Sequence, residues 1–255
     1  MPFSIQILSF VANSIHRFGL WIFRYRLSQS EILILEDLCR YYRALKPEHQ
    51  KEFRKKLTYV LTTKKFFPRG GLKEISPEMK ILIGATIVQV TFGLPSVTLS
   101  HFSKILLYPD RYISTISKTY HRGEVNPRLG IIVLSWPCFI EGFLDKEDGV
   151  NLGIHEVAHA LKLENWIHSN DEFNFLNPQI WQQYEEIAHR EINRIRTGVS
   201  DFFRKRAAEN EHEFFAVALE NFFERPKQFK GEFPELYRAL VGLLRQDPLV
   251  LASKK

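Results

Sequence analysis

Apolar residues recur at three- and four-residue spacing along most of the chain. Ile34, Leu35, Leu38, Tyr41, Tyr42 and Leu45 mark one helical face from about Ser30 onward, and the pattern breaks at Lys46-Pro47. Pro47, with Glu48 behind it, suits a helix start, and Phe53, Leu57, Val60 and Leu61 give this second helix its apolar side. Ser76-Pro77-Glu78 opens a long helix through Leu82, Ala85, Val88 and Phe92, with so few polar positions that it is expected to be buried. The segments from about Gln179 to Arg196 and from Asn210 to Phe223 read as two more helices. In between the character changes. Lys104-Ile105-Leu106-Leu107-Tyr108 predicts a short strand closed by Pro109-Asp110, and Gly130 to Trp136 predicts the clearest strand, stopped by Pro137. Thr119 to Glu124 reads as a hairpin or loop, and Trp166 to Pro178 as a loop.

The run Gly153-Ile154-His155-Glu156-Val157-Ala158-His159-Ala160-Leu161 carries the chemistry. Ile154, Val157, Ala158 and Leu161 fall at i, i+3, i+4 and i+7, a core-facing stripe that leaves His155 and His159 on an adjoining face. Four residues make just over one turn, so both imidazoles can close on one metal ion, with Glu156 beside them. This H-E-x-x-H pattern is that of a metallopeptidase, in which zinc keeps a position open for water and a carboxylate takes the proton. The competing explanation is a pair of satisfied core histidines. Buried polar groups without partners would cost about 1–3 kcal/mol each, which favours a ligand. Gly149 and Asn151 supply the break and the cap before this helix.

A third ligand has to come from a separate helix, and Glu213 is the candidate. Its rival role is a capping carboxylate reaching back to the Asn210 N–H. His212 is the chemical rival, about 100° round the helix from Glu213. Glu220, two turns along the face of Glu213, could orient a ligand from behind. His189 stands alone in its helix and is left out of the site. The strand ending before the metal helix has two open readings: an edge strand able to pair with an extended peptide, or a plain central strand.

Composition narrows the classes. The 255 residues are 45% hydrophobic and 25% charged, which suits a soluble globular protein. Cys39 and Cys138 lie far apart with no C-x-x-C, so no disulfide framework or thiolate zinc site is expected, and a reducing, cytoplasmic setting fits. The net charge of +6 is spread along the chain. Arg54-Lys55-Lys56 and Lys64-Lys65 read as a solvated helix face, and direct nucleic-acid binding is not expected. At the N-terminus, Ile7, Leu8, Val11, Ile15, Phe18 and Ile22 form an amphipathic stripe running into Arg24 and Arg26. Asn13, Ser14, His16 and Arg17 interrupt it too often for a span of about 20 apolar residues. No basic residues precede it as in a secretory signal. Residues 1–27 are expected to dock on a single domain of residues 28–255, with peripheral membrane contact as the second reading.

Tyr108-Pro109-Asp110, Gly130 to Trp136, His155-Glu156-Val157-Ala158-His159, Glu213-Phe214-Phe215-Ala216-Val217, Glu220-Asn221-Phe222-Phe223 and Gln246-Asp247-Pro248 resemble the signature of the Mlc titration factor A family of zinc peptidases. The likeness covers roughly residues 30–251. It implies an α+β, mainly helical, zincin-like fold of the gluzincin type, with a small mixed sheet and an H-E-x-x-H active-site helix. It further implies Zn2+ held by His155, His159 and Glu213, Glu156 as general base, and aminopeptidase-like activity on peptides. In the enterobacterial members it implies binding to the glucose repressor Mlc in the cytoplasm. Two positions depart from the family: Lys162 replaces the usual Asp, and Arg206 replaces a Tyr thought to polarise the substrate carbonyl. An arginine could stabilise an oxyanion by charge, which makes Arg206 a catalytic candidate. The same two departures favour a second reading, a regulatory protein that keeps the zinc fold, turns nothing over, and sequesters a repressor or docks at a membrane.

Overall fold

Ser28 and Glu31 exchange side-chain-to-backbone hydrogen bonds in a capping box that starts α1 (Gln29–Leu38). The computed structural model describes residues 26–113, 119–144, 148–167 and 174–251; the amphipathic stripe, apart from its end at Arg26, and residues 168–173 of the expected 166–178 loop lie outside them. The helix expected to run on to Leu45 is broken. Cys39 is extended (φ −88°, ψ 93°), and α2 (Arg40–Ala44) follows separately. Arg43 reaches back to the carbonyls of Glu36 and Asp37 that the break leaves without helical partners. The buried Tyr42 ring meets Phe53 at 5.4 Å.

Next come α3 (Pro47–Thr63), β1 (Lys65–Pro68) and α4 (Pro77–Thr91). As expected, Ser76 caps α4, and every residue from Ile81 to Thr91 is buried. Of the basic stretches read as a solvated face, Lys55 and Lys65 are exposed, but the others turn inward. Lys56 Nζ donates to the carbonyls of Thr91 and Leu94, and buried Lys64 donates to that of Leu99. Arg54 donates to the Tyr42 hydroxyl. The carbonyls at and beyond the end of α4 each accept one turn N–H and offer a second lone pair to these ammonium groups, whose stems lie along the core.

The strands are β2 (Lys104–Tyr108), β3 (Tyr112–Ile113), β4 (Tyr120–His121), β5 (Gly123–Asn126) and β6 (Ile131–Ser135). The main sheet has the order β1-β2-β6-β5, parallel except for antiparallel β5. β3 and β4 form a separate antiparallel pair with Tyr112 opposite His121. Strand β6 is therefore central. Ile132, Val133, Leu134 and Ser135 are all buried, the unbroken pattern of a strand covered on both faces. Among the described residues the edge beside the next helices is β5, formed in part from the stretch read as a hairpin or loop.

From β6 the chain passes directly into α5 (Trp136–Leu144), then α6 (Leu152–Ile167), α7 (Pro178–Arg196) and a 3-10 turn at Lys205–Ala208. The last helices are α8 (Glu211–Glu224), α9 (Pro226–Glu232), α10 (Pro234–Leu244) and α11 (Pro248–Leu251). Helix α6 packs against α4 on one side and α8 on another, with β5 and β6 alongside. The result is a mainly helical chain with a small mixed sheet. Among the described residues no helix is long and apolar enough to cross a membrane.

Candidate metal centre

Gly149 takes a positive φ of 72°, and the Asn151 side chain then accepts the Ile154 N–H to start α6. Ile154, Val157, Ala158 and Leu161 are buried in the core, and this fixes the rotation of the helix about its axis. His155 and His159 consequently face α8. Their Nε2 atoms lie 3.1 Å apart, with the rings edge to face. From α8, Glu213 Oε2 comes within 3.3 Å of His155 Nε2, and Oε1 within 3.4 Å of His159 Nε2. One ligand atom from each of the three residues lies within 4.8 Å of the others.

Capping does not explain Glu213. Asn210 Oδ1 accepts the N–H groups of His212 and Glu213, while the Glu213 carboxylate turns to the two histidines and to Arg206. The ring of His212 lies against Trp166 at 5.3 Å, outside the cluster, and His189 pairs with Glu211 on the surface.

Glu220 is fully buried and accepts from His155 Nδ1 at 2.8 Å, so in the neutral ring the opposite nitrogen carries the lone pair. Two imidazole nitrogens and a carboxylate oxygen thus converge, a donor set that fits zinc. Burial opposes charge on His155, yet the bonds to Glu213 and Glu220 outweigh it and push this imidazole up to about 9. Burial, with the charge of His155, pushes His159 below its ordinary value. Burial alone would raise Glu213 and Glu220. Bonds from both histidines and Arg206 hold Glu213 well below the usual carboxylate range, and those from His155 and Arg204 lower Glu220.

Glu156 is buried on the β5 side of the cluster, and burial pushes it up to about 7 against the pull of His155 and Arg206. Gly123 of β5 sits directly against it. A Cβ at Gly123 would lie 2.5 Å from Glu156 Oε1, so only glycine lets the edge strand pass so close. Arg206 donates to both carboxylate oxygens of Glu213, at 2.5 and 3.3 Å, and is half exposed. Lys162 is buried with its ammonium over Trp166 (5.3 Å) and Trp181 (5.2 Å).

Two neighbours escaped the sequence reading. One is Gly123. The other is Arg204, which donates to both oxygens of Glu220 at 2.7 Å and to the Gly149 carbonyl at 3.0 Å. A carboxylate in the apolar face of α8 signalled that some cation must meet it, but not which one.

A mainly helical chain with a small mixed sheet, in which two histidines of one helix and a glutamate of another can hold a metal ion beside a second buried carboxyl, defines a class of metal-site proteins. The sequence profile of the glucose-regulated metallo-peptidase M90 family matches residues 16–245, and the chain belongs to that family. It is 29% identical over 211 residues to Mlc titration factor A of Yersinia pestis, covering 74% of this chain and 75% of that protein. The same protein of Yersinia pseudotuberculosis gives the same figures. Over 235 residues it is 25% identical to an uncharacterized protein of Synechocystis sp., covering 85% and 84%. The family resemblance read from the motifs is borne out.

Proposed function

We propose that this protein is a zinc-dependent, aminopeptidase-like peptidase with a zincin-like active site, in which His155, His159 and Glu213 hold the ion and Glu156 is the general base. The observation that carries this reading is the convergence of the three ligand atoms within 4.8 Å, beside the buried Glu156 carboxyl. Bound zinc supplies Lewis acidity toward water and toward a carbonyl oxygen. Glu156 accepts the proton of the attacking water and returns it to the departing amine. Glu220, braced by Arg204, keeps the His155 ring turned toward the site. Strand β5 is an edge of the sheet among the described residues, and its outer backbone groups offer an extended peptide a place to add as a further strand. Arg206 adds positive charge next to Glu213 and Glu156, suited to a developing oxyanion.

The setting is cytoplasmic, the peptidase unit is residues 28–255, and the substrate is a peptide. A transcriptional repressor of the Mlc type is a further partner, supported by the name of the Yersinia relatives. One observation favours the regulatory reading: Arg206, though half exposed, is paired with a candidate metal ligand. The deciding experiment is metal analysis of the purified chain with a peptide panel. Glu156→Gln should keep stoichiometric zinc and lose about 10²–10⁴-fold in turnover, while His159→Ala and Glu213→Ala lose the metal. Unchanged turnover in Glu156→Gln would remove the base assignment, and a zinc-loaded wild type that cleaves nothing would leave the regulatory reading.

A further inference from the structure

The hydroxyl of Tyr112 is buried and has no hydrogen-bond partner among the described residues. Its position follows from the strands. Tyr112 stands opposite His121 in the β3–β4 pair, and two residues beyond His121 the chain reaches Gly123, which touches Glu156. At about 3.3 Å per strand residue, the Tyr112–His121 pair stands about 7 Å along the chain from the glycine that touches the base. The ring is held there. It stacks on Tyr108 at 4.5 Å with the planes 18° apart, and Tyr108 is locked in the sheet opposite Ser135. Only 7% of Tyr112 is exposed.

A buried hydroxyl without a partner costs about 1–3 kcal/mol, and folded proteins keep few of them. Such a group beside a reactive site is satisfied when a ligand brings an acceptor. A phenol in its neutral form offers one donor. Burial first, and then the carboxylates of Glu124 and Glu156, push ionisation of Tyr112 upward, so the proton stays on at working pH. Tyr184, a second buried phenol without a partner among the described residues, makes a useful contrast: it is closed in by Trp181, Phe214 and Phe215, and the carboxylates that act on it are Glu185 and Glu211.

We propose that the Tyr112 hydroxyl donates a hydrogen bond to the carbonyl oxygen of the scissile peptide, opposite the attack assisted by Glu156, and is thus a further catalytic residue. The inference rests on the peptidase reading above and adds to it. The bond strengthens as charge builds on that oxygen, so the hydroxyl acts in the transition state more than in substrate binding.

Tyr112→Phe in the full, zinc-loaded chain tests this. The hydroxyl has no partner to lose, so the variant should keep its zinc and a Tm equal to or above the wild type. kcat should fall about 10²–10³-fold with KM within a few-fold. Affinity for a phosphinic peptide, which mimics the tetrahedral state, should fall at least about tenfold by calorimetry. Tyr184→Phe should change neither. If the wild type cleaves peptides while Tyr112→Phe keeps kcat and phosphinic affinity within twofold, the role of Tyr112 is overturned and the peptidase reading stands. If the zinc-loaded wild type neither cleaves the panel nor binds the phosphinic peptide, the peptidase reading falls and takes this role with it.

Discussion

Arg204 holds Glu220 by both carboxylate oxygens, each at 2.7 Å, and the same carboxylate meets His155 Nδ1 at 2.8 Å. A buried carboxylate facing an imidazole would otherwise be free to rotate, or would take up a proton. The bidentate guanidinium fixes its plane and keeps it ionised.

Arg204→Ala is expected to weaken zinc binding about 10–100-fold, since partners behind a metal ligand commonly contribute that much. Arg204→Lys should recover only part of the loss, because an ammonium cannot bond both oxygens in one plane. Competition with a fluorescent zinc chelator reads the affinity directly. Wild-type affinity in both variants would show that the contact is structural.

Gly123→Ala places a methyl group against the Glu156 carboxylate, where a Cβ would sit 2.5 Å from Oε1. Either Glu156 or strand β5 must move. The expected result is a loss of about 1–3 kcal/mol in stability or a displaced base with at least about tenfold lower turnover. Thermal melts and steady-state kinetics of the zinc-loaded variant separate the two.

Burial lowers Lys56 to about 7 and Lys64 to about 8, far below the 10.5 of an exposed lysine. The unfolded chain therefore keeps the Lys56 proton between pH 7 and 10.5, while the folded chain releases it. Stability gains with pH wherever the unfolded state binds more protons, so this group adds stability as pH rises through 7 and none of that gain remains below it. The slope approaches about 1.4 kcal/mol per pH unit for one proton. Urea unfolding of the wild type and of Lys56→Met from pH 6.5 to 9.5 isolates the contribution, because other titrating groups cancel in the difference. A difference independent of pH would contradict the assignment.

Much of the fold was legible in short stretches. The 3.6-residue period placed α3, α4, α6, α7 and α8, and Ser76, Asn151 and Asn210 cap their helices as their side chains suggest. Pro226, Pro234 and Pro248 each stand in the first turn of a helix, a signal present in the sequence though α9, α10 and α11 were not assigned from it. Helical geometry alone put His155 and His159 on one face, because their relation depends on nothing beyond a single turn.

What needed the tertiary structure involves partners distant along the chain. The break at Cys39, the central place of β6 and the inward turn of Lys56 and Lys64 depend on what packs against each segment, which no local window contains. In the same way Asn210 capping left two directions open to the Glu213 carboxylate, and only the docking of α8 on α6 turned it to the histidines. Arg204 and Gly123 came to the site through long-range pairing alone. A sequence records the direction in which each side chain leaves its own backbone; what it meets there is set by the packing of elements whose order in space is not their order along the chain.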